Sequence, residues 1–160
     1  MTESFNASLA EGMKAPNFTL SNESGERVSL SDFLGKRIVL YFYPKDMTSG
    51  CTIEAQEFRD HKYEFSDLNA VVLGVSRDSV KSHKEFCEKE NLDFNLLSDF
   101  EGKVSSMYNV LKKKSVFGVS TISIERTTFL IDENGIVKKI YRKVKSVDHA
   151  EKVIADIKKL

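Results

Sequence analysis

The hydropathy pattern is dominated by Arg37-Ile38-Val39-Leu40-Tyr41-Phe42-Tyr43, an almost unbroken apolar run rich in β-branched and aromatic residues. A run this short, closed by Pro44, reads as a central strand buried on both faces. Ala70 to Ser76 repeats the pattern and predicts a second buried strand, and Asn95-Leu96-Leu97-Ser98 a short third one. The segments between them change to helical spacing. From about Cys51 to Phe65, Ala55, Phe58 and Phe65 share one face, and the Lys62 stem lies along it. Asp78 or Ser79 opens the next helix, with Val80, His83 and Cys87 on one stripe and Phe86 beside it.

The outer segments are shorter. Pro16 to Leu20 and Glu26 to Leu30 flank Asn22 to Gly25, which predicts a hairpin. Ser31 and Asp32 are expected to cap a helical turn ending near Gly35. A short helix follows from about Gly102 to Tyr108, and residues 112–124 read as a long connection. Thr127 to Ile131 and Ile136 to Tyr141 flank Asn134-Gly135, a strong hairpin signal. Val147, Ala150, Ile154, Ile157 and Leu160 then fall at helical spacing. Residues 1–12 read as a loosely ordered leader and 13–160 as one domain. Strand–helix–strand–helix–strand, then a hairpin and a closing helix, predicts an α/β fold. Its mixed sheet is flanked by helices and carries an N-terminal β-hairpin, for which a thioredoxin-like topology is the best fit.

Composition narrows the function. With 160 residues, 41% hydrophobic and 30% charged, the chain buries a core and keeps a polar surface. A formal net charge of zero argues against nucleic acid or an anionic membrane as partner. No apolar run is long enough to span a bilayer, and Met1 to Met13 lack the basic and apolar regions of a secretory signal. A cytoplasmic protein is expected. In a reducing compartment two cysteines, Cys51 and Cys87, mean chemistry or core filling, not a disulfide framework. His61, His83 and His149 are scattered and give no zinc spacing. There is no Gly-rich phosphate loop.

The chemical signal lies in Tyr43-Pro44-Lys45-Asp46-Met47-Thr48-Ser49-Gly50-Cys51-Thr52, where a buried strand hands over to a helix. Ligand sites gather at the carboxyl ends of such strands. Cys51 falls in the first helical turn, where unpaired N–H groups and the helix dipole favour an anion, so a thiolate there is stabilised as a nucleophile. The bland alternative is a buried structural cysteine.

Tyr41-Phe42-Tyr43-Pro44-Lys45-Asp46, then Thr48, Gly50-Cys51-Thr52 and Glu54-Ala55, resemble the active-site signature of the peroxiredoxins, and within them the Q-type subgroup, the bacterioferritin comigratory proteins. Arg126-Thr127-Thr128-Phe129-Leu130-Ile131-Asp132 resembles that family's second motif, and Ala15 to Leu20 its N-terminal hairpin. The resemblance spans about residues 13–160. It implies a thiol peroxidase with Cys51 as peroxidatic cysteine and Pro44, Thr48 and Arg126 as the other active-site positions. Arg126 would supply a permanent cation for thiolate and peroxide oxygen, Thr48 a hydroxyl for the peroxide, and Pro44 a rigid, shielding loop. Taken without the motif, Arg126 would be a surface ion pair with Glu125 or Asp132. The implied substrate is a hydroperoxide and the implied reductant thioredoxin-like. No metal, haem or flavin is required.

Three positions depart from the family pattern. Many members carry a resolving cysteine where this chain has Gln56, and Met47 and Ser49 stand where Asn or Asp and Pro are commonest. Other members resolve with a cysteine on the later helix. Cys87, 36 residues after Cys51, resembles that arrangement, and its alternative is a small core residue beside Val80 and His83. Two other functions remain open at this level: a thiol–disulfide oxidoreductase, weakened because Thr48-Ser49-Gly50-Cys51 replaces Cys-x-x-Cys, and a redox-sensing or chaperone module. Lys112 to Lys114 read as a solvated loop. Val116, Phe117, Val119 and Ile122 are more apolar than a free loop needs, and would cover the site or form a weak dimer contact. A monomer or weak homodimer is expected.

Overall fold

A computed structural model describes residues 8–160. The chain runs β1 (Thr19–Ser21), β2 (Arg27–Ser29), a 3-10 turn (Leu30–Phe33), β3 (Arg37–Phe42), α1 (Ser49–Asp60), α2 (Lys62–Asp67), β4 (Ala70–Ser76), α3 (Val80–Glu90), β5 (Asn95–Ser98), α4 (Lys103–Met107), β6 (Leu111–Val116), β7 (Val119–Ile124), β8 (Thr127–Ile131), β9 (Val137–Tyr141) and α5 (His149–Ile157). Seven strands form one mixed sheet in the order β2-β1-β5-β4-β3-β8-β9. β3, β4 and β5 are parallel neighbours, as two strand–helix–strand crossovers require. β8 returns antiparallel on the other side of β3.

The period-2 alternation of β3 divides the core between the two faces of the sheet. Ile38, Leu40 and Phe42 face one cluster with Leu9, Phe18, Leu73, Val104, Tyr108 and Phe129. Val39, Tyr41 and Tyr43 face the other, with Cys51, Phe58, Phe86, Val153 and Ile157, and with Cys87 packed at its margin. Both cysteines therefore lie on the same side of the sheet.

Several local expectations change. The helix expected from Cys51 to Phe65 is two helices, because the chain turns at His61 (φ −98°, ψ 17°) before Lys62 restarts it. The 3-10 turn is capped by Ser29, not Ser31, in a box that Asp32 closes on the Ser29 N–H at 2.9 Å. Residues 112–124, read as a connection, lie within a second antiparallel sheet, β6–β7, turned through Phe117 (φ 51°) and Gly118 (φ 78°). Consecutive lysines hide the alternation that marks a strand, and neither face is buried over most of the ribbon. Lys112 to Lys114 are thus strand residues, and Val116, Phe117, Val119 and Ile122 are all exposed. α5 opens at His149, which leaves Val147 outside it and exposed, while Val153 is buried. Of the expected leader, residues 1–7 lie outside the described residues. Residues 8–12 are docked: Leu9 is buried with its N–H on Asn109 Oδ1 (2.7 Å), and the Gly12 N–H reaches Val137 O (2.7 Å).

Candidate active site

Two strand ends build the site. β3 ends at Phe42, and after a loop the chain enters α1 at Ser49, which places Cys51 in the first helical turn. In the antiparallel register Phe42 faces Thr127. Arg126, immediately before β8, is therefore delivered to the same end of the sheet as Cys51, although 75 residues separate the two.

Arg126 Nη2 donates to Cys51 Sγ at 3.4 Å, and Nη1 donates to Glu54 Oε1 at 2.7 Å. The guanidinium fork thus spans one turn of α1, a geometry that Lys cannot reproduce. Gly50 makes room for it. A Cβ there would lie 3.2 Å from Arg126 Nη2 and 2.9 Å from Ser146 Oγ. Glu125 pairs with Lys112, so the surface ion pair considered for Arg126 is not formed with that neighbour. Cys51 is only 1% exposed and Glu54 likewise. Burial pushes the Glu54 carboxyl up to about 7 against the lowering pull of Arg126, and its Oε2 has no hydrogen-bond partner among the described residues. Glu54 was part of the quoted sequence motif, but its burial beneath the arginine was not readable there.

Thr48 occupies the N-cap position of α1 without capping it. Its hydroxyl instead donates to Lys45 O at 2.8 Å, so the oxygen lone pairs remain to accept a hydrogen bond. Pro44 ends the strand and is exposed.

Asp46 anchors the loop before α1. Its Oδ1 accepts from Tyr43 Oη (2.6 Å), its Oδ2 from Ser82 Oγ (2.8 Å) and His83 Nδ1 (2.7 Å), and its N–H donates to Asp78 Oδ2 (2.8 Å). His83 Nε2 faces Leu97 O at 3.0 Å. Asp46 and His83 are buried, and they tie the Cys51 loop to α3, the helix of Cys87. Asp46, Asp78 and His83 bring three ligand-type atoms together, but each takes part in these hydrogen bonds. On the far side of α1, burial pushes His149 down to about 4; its Nε2 meets Thr128 Oγ1 at 2.8 Å.

Cys87 sits in the last turns of α3 as a free thiol, half-buried. Burial first, and then the charges of Glu23, Asp46 and Glu88, push it up to about 12. Gln56 and Arg59 of α1 hold Glu90, through Gln56 Nε2 to Oε1 (2.8 Å) and Arg59 Nη1 to the carbonyl (2.6 Å). The structure thus unites Cys51 with Arg126, places Thr48 one helical turn before Cys51, and leaves Cys87 unbonded on the neighbouring helix.

The AhpC/TSA family model matches residues 12–140. Peroxiredoxin Bcp of Bacillus subtilis is 51% identical over 147 residues, 92% of this chain and 94% of that protein. The chain belongs to the AhpC/TSA family, in its peroxiredoxin Q (Bcp) subgroup. Among solved structures, the Xanthomonas campestris bacterioferritin comigratory protein, described for its alkyl peroxide reduction activity, superposes with a TM-score of 0.86 at 41% identity, covering 89% of this chain and 90% of its own. That peroxiredoxin Q has also been solved as cysteine-to-serine variants at two positions 36 residues apart. A Xylella fastidiosa peroxiredoxin Q variant superposes at TM-score 0.90 and 39% identity, covering 96% and 98%. The peroxiredoxin has the thioredoxin-like α/β fold expected, and it is a thiol-dependent peroxidase. Among the described residues no helix is long and apolar enough to cross a membrane.

Proposed function

We propose that Cys51 is the peroxidatic cysteine, that Cys87 resolves it, and that a thioredoxin-type dithiol restores both. The observation that carries this is the Arg126–Cys51 contact of 3.4 Å at the first turn of α1. A cation and the helix start both act on that sulfur. The Cys51 thiolate attacks one peroxide oxygen, an S–O bond forms and the O–O bond breaks. The departing oxygen takes a proton and leaves as water or an alcohol. Arg126 faces the sulfur and the oxygen on which charge develops. Thr48, whose proton is committed to Lys45 O, accepts from the peroxide O–H and orients it. Pro44 stiffens the loop between strand and helix.

Cys51 sulfenic acid then condenses with the Cys87 thiol, forming the disulfide and releasing water. Support comes from the 36-residue separation that the Xanthomonas pair shares. A disulfide requires Cα atoms within about 7 Å. The Cys87 carbonyl holds the helix end by accepting from the N–H groups of Asn91 (φ 53°) and Leu92, so bringing Cys87 to Cys51 unravels this cap. The reaction takes place in the cytoplasm on hydrogen peroxide and organic hydroperoxides, in a monomer or weak homodimer, and needs no nucleic acid or membrane.

The test combines steady-state peroxide consumption, driven by thioredoxin, its reductase and NADPH, with peptide mapping after one equivalent of peroxide. A Cys51–Cys87 disulfide within one chain is expected. Cys87 found free after Cys51 has been oxidised would remove it from the cycle.

A further inference from the structure

Tyr41 is buried at 0% exposure one residue before the end of β3, on the face of the sheet that carries both cysteines. Its ring is clamped. Tyr43 stacks on it with centroids 5.4 Å apart, Phe58 lies at 4.7 Å and Phe94 at 6.1 Å. Gly74 passes so close that a Cβ there would lie 3.0 Å from the ring. The clamped ring fixes where the hydroxyl points, and among the described residues no protein group hydrogen-bonds to that hydroxyl. Tyr43, on the same face, has its own hydroxyl partnered by Asp46.

An unpartnered buried hydroxyl destabilises a protein, and phenylalanine would fill the same apolar space without that penalty. The hydroxyl therefore needs a use outside the reduced, resting arrangement. Phe58 of α1 and Phe94, four residues beyond the end of α3, lie against its ring, and Cys51 and Cys87 pack in the same cluster, so Tyr41 sits between the helices that carry the two thiols. Burial holds the phenol protonated far above neutral pH, so it serves as a donor throughout.

Among the described residues the Cys87 sulfur has no hydrogen-bond donor, and the charges acting on it are carboxylates. Glu54 Oε2 is also without a donor, but that carboxyl is already held through Oε1 by Arg126, whose other nitrogen is committed to Cys51. We propose that the Tyr41 hydroxyl donates a hydrogen bond to the Cys87 sulfur as the end of α3 loosens, holding it as a thiolate aimed at Cys51. This rests on the resolving role of Cys87. The Cys87 sulfur attacks the Cys51 sulfur, the S–S bond forms and the S–O bond of the sulfenic acid breaks. The hydroxide that leaves takes the proton given up by Cys87 and departs as water. Tyr41 keeps its own proton.

The test is Tyr41→Phe, followed in single turnovers by rapid quench and intact mass. The wild type must first form the Cys51–Cys87 disulfide; if it does not, the reading of Cys87 has failed, independently of Tyr41. With that in hand, the variant should form sulfenic acid within about twofold of the wild-type rate. Disulfide formation should slow by about tenfold or more, the scale of a hydrogen bond to a charged sulfur. Sulfinic acid should accumulate at peroxide concentrations the wild type tolerates. Thermal stability should be unchanged or higher, because an unpartnered hydroxyl has been removed. Equal disulfide-forming rates in variant and wild type would overturn the proposal and leave the hydroxyl to a buried water or to no partner. A first step slowed as much as the second would overturn it as well, since the effect would then lie at Cys51.

Discussion

Cys51 and Cys87 lie on the same face of one sheet, on helices tied together through Glu90, yet their surroundings are opposite in sign. Cys51 stands at the start of a helix, faces a guanidinium at 3.4 Å and is almost fully buried. Cys87 stands near the end of a helix, faces carboxylates and is pushed up to about 12. Helix polarity acts in the same direction, because a thiolate gains at an N-terminus and loses at a C-terminus. In the proposed cycle the first thiol attacks without moving. The second is held protonated, and its reactivity depends on leaving the place where it rests. This ordering would keep Cys87 from competing for peroxide.

The strongest way to break the comparison is to exchange sulfur for oxygen at each position. Cys51→Ser should lower peroxide consumption by more than about 10³-fold, because a serine hydroxyl is essentially un-ionised at neutral pH and is a poor nucleophile. Cys87→Ser should still consume about one equivalent of peroxide. It should then stop turning over with thioredoxin and over-oxidise. Stopped-flow peroxide assays separate the two cases, and equal losses from both would abolish the asymmetry.

Next comes the cation. Arg126→Lys keeps the charge but loses the fork that holds Glu54 and Cys51 together. The rate of Cys51 oxidation should fall by about 10- to 100-fold. An unchanged rate would show that charge alone suffices.

Glu54 gives a smaller effect that depends on pH. Its folded value of about 7 lies above the ordinary 4.5, so the folded state binds the proton more tightly. The stability this contributes is complete below about 4.5 and is lost as pH rises through about 7. Glu54→Gln removes that loss. The stability difference between variant and wild type should shift in the variant's favour across this window, by on the order of 3 kcal/mol at most. His149, held down near 4, loses stability in the opposite direction as pH falls, which is why the difference between the two proteins is the quantity to follow. Denaturant unfolding at pH 4.5, 6 and 8 measures it; a difference independent of pH would place the carboxyl in its ordinary range.

The smallest effect concerns the loop. Met47 adopts φ 61°, a left-handed conformation that a long side chain takes at a penalty of about 1 kcal/mol and Asn tolerates better. Met47→Asn should therefore stabilise the fold by somewhat under 1 kcal/mol, while Cys51 oxidation stays within about twofold. Destabilisation would show that the Met47 side chain, 43% exposed, has packing worth more than the strain.

These departures from the family motif become intelligible only with backbone angles in hand. The sequence marks Met47 and Ser49 as unusual, and the fold supplies the reason the common residues suit those places. Position 47 is left-handed, and Ser49 is the first residue of α1, where proline fits because that N–H needs no helical partner. The Lys112 to Lys114 run shows the reverse case. Its lack of alternation concealed β6, and only pairing with β7 defines it as a strand.

What the sequence determined by itself was local. The apolar runs of β3 and β4, the Asn134-Gly135 turn and a cysteine at a strand-to-helix junction each carry their signal within a few residues, because pleat, turn and helix periodicities are short-range. The motif resemblance named the family and singled out Cys51 as the candidate reacting thiol. Tertiary structure alone decided the electrostatics. Arg126 reaches Cys51 through the register of β8 on β3, Glu54 is driven toward neutrality by burial beneath that arginine, and Asp46 finds His83 across 37 residues. Tyr41 likewise reads as one more apolar strand residue until the sheet, α1 and α3 close around its hydroxyl. Desolvation and long-range pairing depend on which elements cover a group, and no periodicity along the chain encodes that.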